Sequence, residues 1–185
     1  MFGMEQHRDE GINSGQPDFE QVFLPHLDAA YNLARWLLRN DQDAEDAVQE
    51  AYLRAYKAFA RFRGGEGKAW LMTILRNVCY TMMKKLKTNE AAEPFNEEIH
   101  QTVGESEMQE ALQKKANAES LHAALEKLPE EFREMIVLHD LEGLAYKEIA
   151  SVVDIPIGTV MSRLARARGR LRTEIISANA RETRT

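Results

Sequence analysis

Apolar residues recur three and four positions apart through most of this chain, and no run of any length alternates apolar with polar. The first spacing collects side chains on one face of a helix, whereas alternation would mark a strand. Phe19, Val22, Phe23, Leu27, Ala30, Tyr31, Ala34, Leu37 and Leu38 predict a helix starting at Asp18. A second, over about 43–60, gathers Ala44, Ala47, Val48, Ala51, Tyr52, Ala55, Tyr56 and Phe59, with Asp41 or Asp43 as its cap. A loop follows with three glycines, Gly64, Gly65 and Gly67, which tolerate backbone conformations other residues avoid. A third helix, about 68–87, turns Trp70, Leu71, Ile74, Leu75, Val78 and Met82 inward.

The pattern stops at Asn89. From there to Gln113 stand seven glutamates and no lysine or arginine, with Pro94 and Gly104 interrupting any helix. This predicts a flexible acidic linker over 89–117. Helical spacing resumes near Ala118, with Leu121, Ala124, Leu125 and Leu128 as one stripe. Pro129, Glu130 and Glu131 open a helix that stops near Gly143, since proline suits a first turn and acids its positive end. Two short helices follow, at about 145–153 and 159–176. The fold class expected is all-α: two small helical domains, 17–88 and 118–176, with tails at 1–16 and 177–185.

The chain has 185 residues, a net charge of −6 and one cysteine, Cys79. No intramolecular disulfide and no cysteine-based metal site can close. Neither a membrane-length apolar run nor a basic-then-apolar leader is visible, so the cytosol is the expected location. His100, His122 and His139 show no metal-ligand spacing, and no nucleophile stands with a base. The expectations are no cofactor, no metal, no small-molecule substrate and no catalytic residue. An acidic chain argues against nucleic acid as a whole. Binding follows local charge, however, because salt screens beyond about 8 Å.

Local charge is concentrated near the C-terminus. Asp154-Ile155-Pro156-Ile157-Gly158 reads as a tight turn between two helices, with Gly158 permitting the reversal and Thr159 capping the second helix. On that helix Val160, Leu164, Ala167, Leu171 and Ile175 fall within an arc of about 80°. Five arginines and no acid lie between Thr159 and Arg172. Two helices joined this way are the geometry that sets the second into a major groove. A surface helix that is merely basic is the plainer alternative.

The first domain has two features that its own packing does not require. Opposite the core of the second helix lie Asp46, Gln49, Glu50, Leu53 and Lys57, an exposed leucine ringed by polar groups. Such a leucine is either incidental or the anchor for a partner helix. The third helix carries Thr73, Arg76, Asn77, Tyr80, Lys84 and Lys87 in a polar stripe. Cations, an amide and a ring suit phosphates and unpaired bases, but a solvated face explains the stripe equally well.

Order and wording separate these readings. The stretch 46–57 (DAVQEAYLRAYK), then Phe62-Arg-Gly, then 69–77 (AWLMTILRN) resembles region two of bacterial sigma factors. The stretch 128–136 (LPEEFREMI), then 144–150 (LAYKEIA), then 155–168 (IPIGTVMSRLARAR) resembles their region four. With no room for region one or a full region three, the layout is that of the extracytoplasmic-function (ECF) group.

The resemblance implies a protein that binds core RNA polymerase and brings it to promoter DNA. In the family, one face of the second helix docks on a coiled coil of the largest polymerase subunit; here that maps to Asp46, Gln49, Glu50 and Leu53. The third helix and the loop before it read the minus-ten element, with a base flipped from the stack; here that maps to Phe62, Arg76, Asn77, Tyr80, Thr81 and Lys84. The last helix reads the minus-thirty-five duplex. Here the resemblance implies that Met161, Ser162, Ala165 and Arg166 face base edges and that Thr159, Arg163 and Arg168 hold phosphates. The resemblance further implies an anti-sigma factor as partner, membrane-bound in many relatives, and a monomer when free. The sequence departs from the family at Met161, where many relatives have arginine. Its glycine loop is about one residue shorter than usual and lacks the common aromatic before Trp70. The rival reading, from the helix-turn-helix alone, is a transcriptional regulator that works without polymerase.

Overall fold

The computed structural model describes residues 18–89 and 120–182, with side chains over 18–86 and 120–177. The predicted N-terminal tail and nearly all of the predicted acidic linker, with His100, lie outside the described residues. The described residues contain helices and turns and no strand.

The first half is built from α1 (Phe19–Phe23), α2 (Leu27–Leu38), α3 (Asp41–Ala58) and α4 (Gly67–Asn89). One continuous helix from Asp18 was expected. Pro25 divides it instead, within a 3-10 turn Leu24–His26, because proline cannot donate into a continuing helix. The cap of α3 is also corrected. Asn40, not Asp41 or Asp43, stands in extended conformation, and its side chain accepts from the Asp43 N–H at 2.9 Å. The buried face of α3 is Ala44, Ala47, Val48, Ala51 and Ala55. Side chains this small let α2 and α4 approach closely, and Leu33, Leu37, Leu71, Met72 and Leu75 fill the space between. Tyr56, expected on that face from its spacing, is 67% exposed.

The second half comprises α5 (residues 120–126), α6 (Glu130–Ile136) running on into a π-turn Val137–Leu141, α7 (Tyr146–Val153) and α8 (Ile157–Glu182). Its core is formed by Leu125, Leu128, Met135, Leu138, Ile149, Val152, Val160 and Leu164. Three local expectations change here. The reversal after α7 is made by Asp154, at φ 56°, while Gly158 is already helical. The last helix begins at Ile157, so Thr159 sits inside its first turn and does not cap it. That helix also continues to Glu182, beyond the expected end at 176.

The two halves are in direct contact. α7 packs on α4 and α6 on α2, and the buried apolar residues of both halves are contiguous.

Candidate partner and nucleic-acid surfaces

The outer face of α3 is water-facing where the sequence placed it. Asp46, Gln49, Leu53 and Lys57 are exposed, with Leu53 at 55%. Glu50 is half-buried and accepts from Arg54 Nε at 2.6 Å. Leu53 does not stand alone. A groove of about 620 Å³ runs beside it between α1 and α3, lined by Phe19, Leu24, Gln49, Tyr52 and Tyr56. Tyr52 holds the groove together: its hydroxyl donates to the Phe23 carbonyl at 2.8 Å, and burial pushes that hydroxyl up to about 12. Sequence reasoning missed Leu24, which is 51% exposed because the turn around Pro25 rolls it outward.

Phe62 enters an aromatic cluster, with ring centroids 5.4 Å from Phe23 and 5.2 Å from Trp70. Gly64 and Gly65 take φ of +83° and +97°, which side chains disfavour. Gly67 answers a different need. A Cβ there would lie 2.8 Å from a Val22 methyl, so glycine lets α4 start against α1.

Along α4 the predicted reading residues divide into two sets. Asn77, Thr81 and Lys84 are exposed. Arg76 and Tyr80 are half-buried and turned toward the other half of the molecule. Arg76 Nε donates to Glu134 Oε1 at 2.6 Å and Nη2 to Oε2 at 3.3 Å. The Tyr80 hydroxyl reaches Glu134 Oε2 at 3.4 Å, and the Arg76 guanidinium lies 4.4 Å from the Tyr80 ring centre. Burial pushes the Glu134 carboxyl above the ordinary carboxylate range, and the Arg76 bonds pull it only part of the way back.

Other hydrogen bonds join the same two halves or brace the second half beside them. Lys68 Nζ donates to the Glu142 carbonyl at 2.6 Å, and Asn32 Nδ2 to the Glu142 carboxylate at 2.7 Å. Arg39 donates to the Glu126 carbonyl at 2.7 Å. Arg133 is 3% exposed and donates to the carbonyls of Leu125, Glu126, Leu128 and Trp36. Three of those carbonyls close the end of α5, where helical partners run out. None of these roles was read from the sequence. Glu134 and Glu142 look like ordinary surface acids there, because what buries them comes from the other half of the chain.

In the helix-turn-helix, α7 starts with the Ala145 N–H donating to the Glu148 carboxylate at 2.6 Å. The Pro156 carbonyl accepts from Thr159 at 2.8 Å and from Val160 at 3.1 Å as α8 begins. Met161, Ala165 and Arg166 are exposed; Thr159, Ser162 and Arg163 are half-buried. The arginine patch is partly neutralised by acids far away in sequence. Arg168 forms a bidentate pair with Asp140, Arg163 lies 3.7 Å from Glu131, and Arg170 stacks over Phe132. Among the described residues, Arg166 has no acid partner.

Cys79 is fully buried, and burial pushes its thiol up to about 12. His139 bonds the Leu144 carbonyl, and the His122 ring packs tilted against Trp36. Among the described residues no group of acids, histidines and cysteine is arranged to hold a metal, and no helix is long and apolar enough to cross a membrane.

Comparison with known proteins gives these surfaces a context. Residues 22–88 match the family described as Sigma-70 region 2, and residues 118–171 match Sigma-70, region 4. The chain is 32% identical over 174 residues to the ECF RNA polymerase sigma factor SigE of Mycolicibacterium smegmatis, covering 94% of this chain and 67% of that one. It is 36% identical over 138 residues to the ECF RNA polymerase sigma-E factor of Escherichia coli K12, covering 68% and 70%. A solved structure of the sigma factor RpoE in complex with the anti-sigma factor NepR, from Bartonella quintana, is similar at a TM-score of 0.69 and 32% identity, over 85% of this chain and 96% of that one.

Proposed function

Because the chain belongs to the extracytoplasmic-function group of RNA polymerase sigma factors, we propose the following division of labour within it. Residues 17–88 form the domain that binds core polymerase and the minus-ten element. Residues 118–176 form the domain that binds the minus-thirty-five element. Asp46, Gln49, Glu50 and Leu53 dock on the polymerase. Phe62, Arg76, Asn77, Tyr80, Thr81 and Lys84 take the minus-ten strand. Thr159, Arg163 and Arg168 hold upstream phosphates, and Met161, Ser162, Ala165 and Arg166 meet base edges. The work is recognition; sigma factors as a class are not enzymes.

The observation that carries this reading is Leu53, 55% exposed beside an apolar groove and rimmed by carboxylates and an amide. Apolar centres with polar rims are how helical partners are bound. An operator-binding regulator has no use for that face on a separate domain.

An anti-sigma factor is the expected second protein partner, because the similar RpoE structure holds one. On this reading the contacts of Arg76 and Tyr80 with Glu134 belong to a closed resting arrangement. The minus-ten strand and Glu134 compete for the same guanidinium, so DNA engagement requires α6 to leave α4.

The test adds the purified chain to core RNA polymerase and a promoter template. Initiation is expected, and Leu53→Asp is expected to abolish polymerase binding while leaving helicity unchanged. Duplex binding with no polymerase association would overturn the reading.

A further inference from the structure

The water-facing surface of α8 is apolar where the reading of bases would begin. Ile157 is 49% exposed, Met161 52%, and Ala165 is exposed one turn later. At four-residue spacing the three follow one line, drifting about 40° per step around the helix. Neither Ile157 nor Met161 belongs to the buried core cluster. The arginines that could have shielded them are held elsewhere, Arg163 toward Glu131 and Arg168 in its pair with Asp140. Ser162 is half-committed as well, its hydroxyl donating to the Thr159 carbonyl at 3.0 Å. The face therefore offers two large apolar side chains and a methyl group, and Arg166 nearby has no acid partner among the described residues.

The floor of a major groove is nearly all donors and acceptors. Its one apolar group is the C5-methyl of thymine. An apolar side chain set over a base nitrogen or carbonyl would strip water from it and return no hydrogen bond. Set over a methyl, the same side chain removes apolar surface from water on both partners. Methionine suits this role because its unbranched thioether adapts to the exact height of the methyl.

We propose that Met161, seconded by Ile157, reads thymine in the upstream promoter element through its 5-methyl group. The inference rests on the assignment of α8 to a major groove, and it adds what chemistry the groove must present there. Arg166 supplies the hydrogen-bonded contact beside it, so the element pairs at least one thymine with a position read by a donor.

Deoxyuridine differs from thymidine by that methyl alone. Holoenzyme reconstituted from the full chain and core polymerase selects its upstream element from duplexes with a randomised segment. The tightest duplex is then remade with deoxyuridine at each thymidine in turn. At one position or more, the loss of the methyl is expected to weaken binding about threefold to tenfold. In Met161→Ala, whose side chain is exposed and outside the core, that penalty is expected to vanish. Equal binding of every uracil-bearing duplex by the unaltered protein overturns the proposal. So does a penalty that persists in both Met161→Ala and Ile157→Ala. The Arg166→Ala arm separates the two levels of the argument. Altered selection there with no uracil effect removes only the methyl contact. Unchanged selection in Arg166→Ala and Met161→Ala together removes α8 from the groove, and the proposal with it.

Discussion

Glu134 on α6 accepts from Arg76 on α4 at 2.6 Å while only 1% exposed, so a carboxylate of one half covers a cation of the other. Removing one partner of such a pair strands the other charge, whereas removing both does not. Glu134→Ala is expected to cost about 3 kcal/mol of stability of the closed form. It should expand the chain in small-angle scattering and raise its affinity for single-stranded DNA. The double variant Arg76→Ala, Glu134→Ala should recover much of the stability and none of the DNA binding. An unchanged radius of gyration in Glu134→Ala would show that this pair does not hold the halves together.

Arg133 is the chief donor to the turn that follows α5. Arg133→Met keeps the bulk and removes the donors to four carbonyls, three of them at that helix end. Buried carbonyls left unpaired should lower stability by roughly 3 kcal/mol, read as a shifted urea midpoint with little change in slope. Arg133→Lys should recover only part, since one ammonium cannot reach all four. A midpoint within error of the unaltered protein would mean that water replaces the guanidinium without loss.

The charge of α8 is held in check by Asp140. Asp140→Asn frees Arg168 from its bidentate pair. The variant is expected to bind duplex DNA severalfold more tightly at low salt, with the slope of log affinity against log salt steeper by about one. The gain should be the same for any duplex sequence, because the released arginine serves phosphates. A gain confined to one sequence would instead make Arg168 a base reader.

Alkaline pH should weaken the first half. The Cys79 thiol is raised from 9.0 to about 12 and the Tyr52 hydroxyl from 10.0 to about 12, both chiefly by burial. Groups raised in the fold favour it while protonated in both states, and that advantage is lost as pH climbs toward the folded value. Stability measured by urea should therefore be flat to about pH 9 and fall between 9 and 12. At pH 8 a thiol reagent should leave the native chain unlabelled and label it in denaturant. Rapid native labelling would show that α4 opens on its own.

Much of the fold was legible because it is local. The spacing of apolar residues located α3, α4, α7 and α8, and two motifs in order identified the family. Leu53 was visible as an exposed apolar residue for the same reason: a helix wheel needs only the chain's own numbering. Two local features depart from that spacing: Pro25 divides the first helix, and Asp154, not Gly158, makes the reversal after α7.

What the sequence by itself determined, then, is which face of each helix seeks apolar company. That choice depends on side chains a few residues apart. Which polar residues meet across the boundary was decided only by the tertiary structure. Arg76 and Glu134 are 58 residues apart, and Lys68 and Glu142 are 74 apart. An ion pair leaves no periodic trace, since either partner alone reads as an ordinary surface charge. It becomes a contact only when α7 settles on α4 and excludes the water that would otherwise satisfy both.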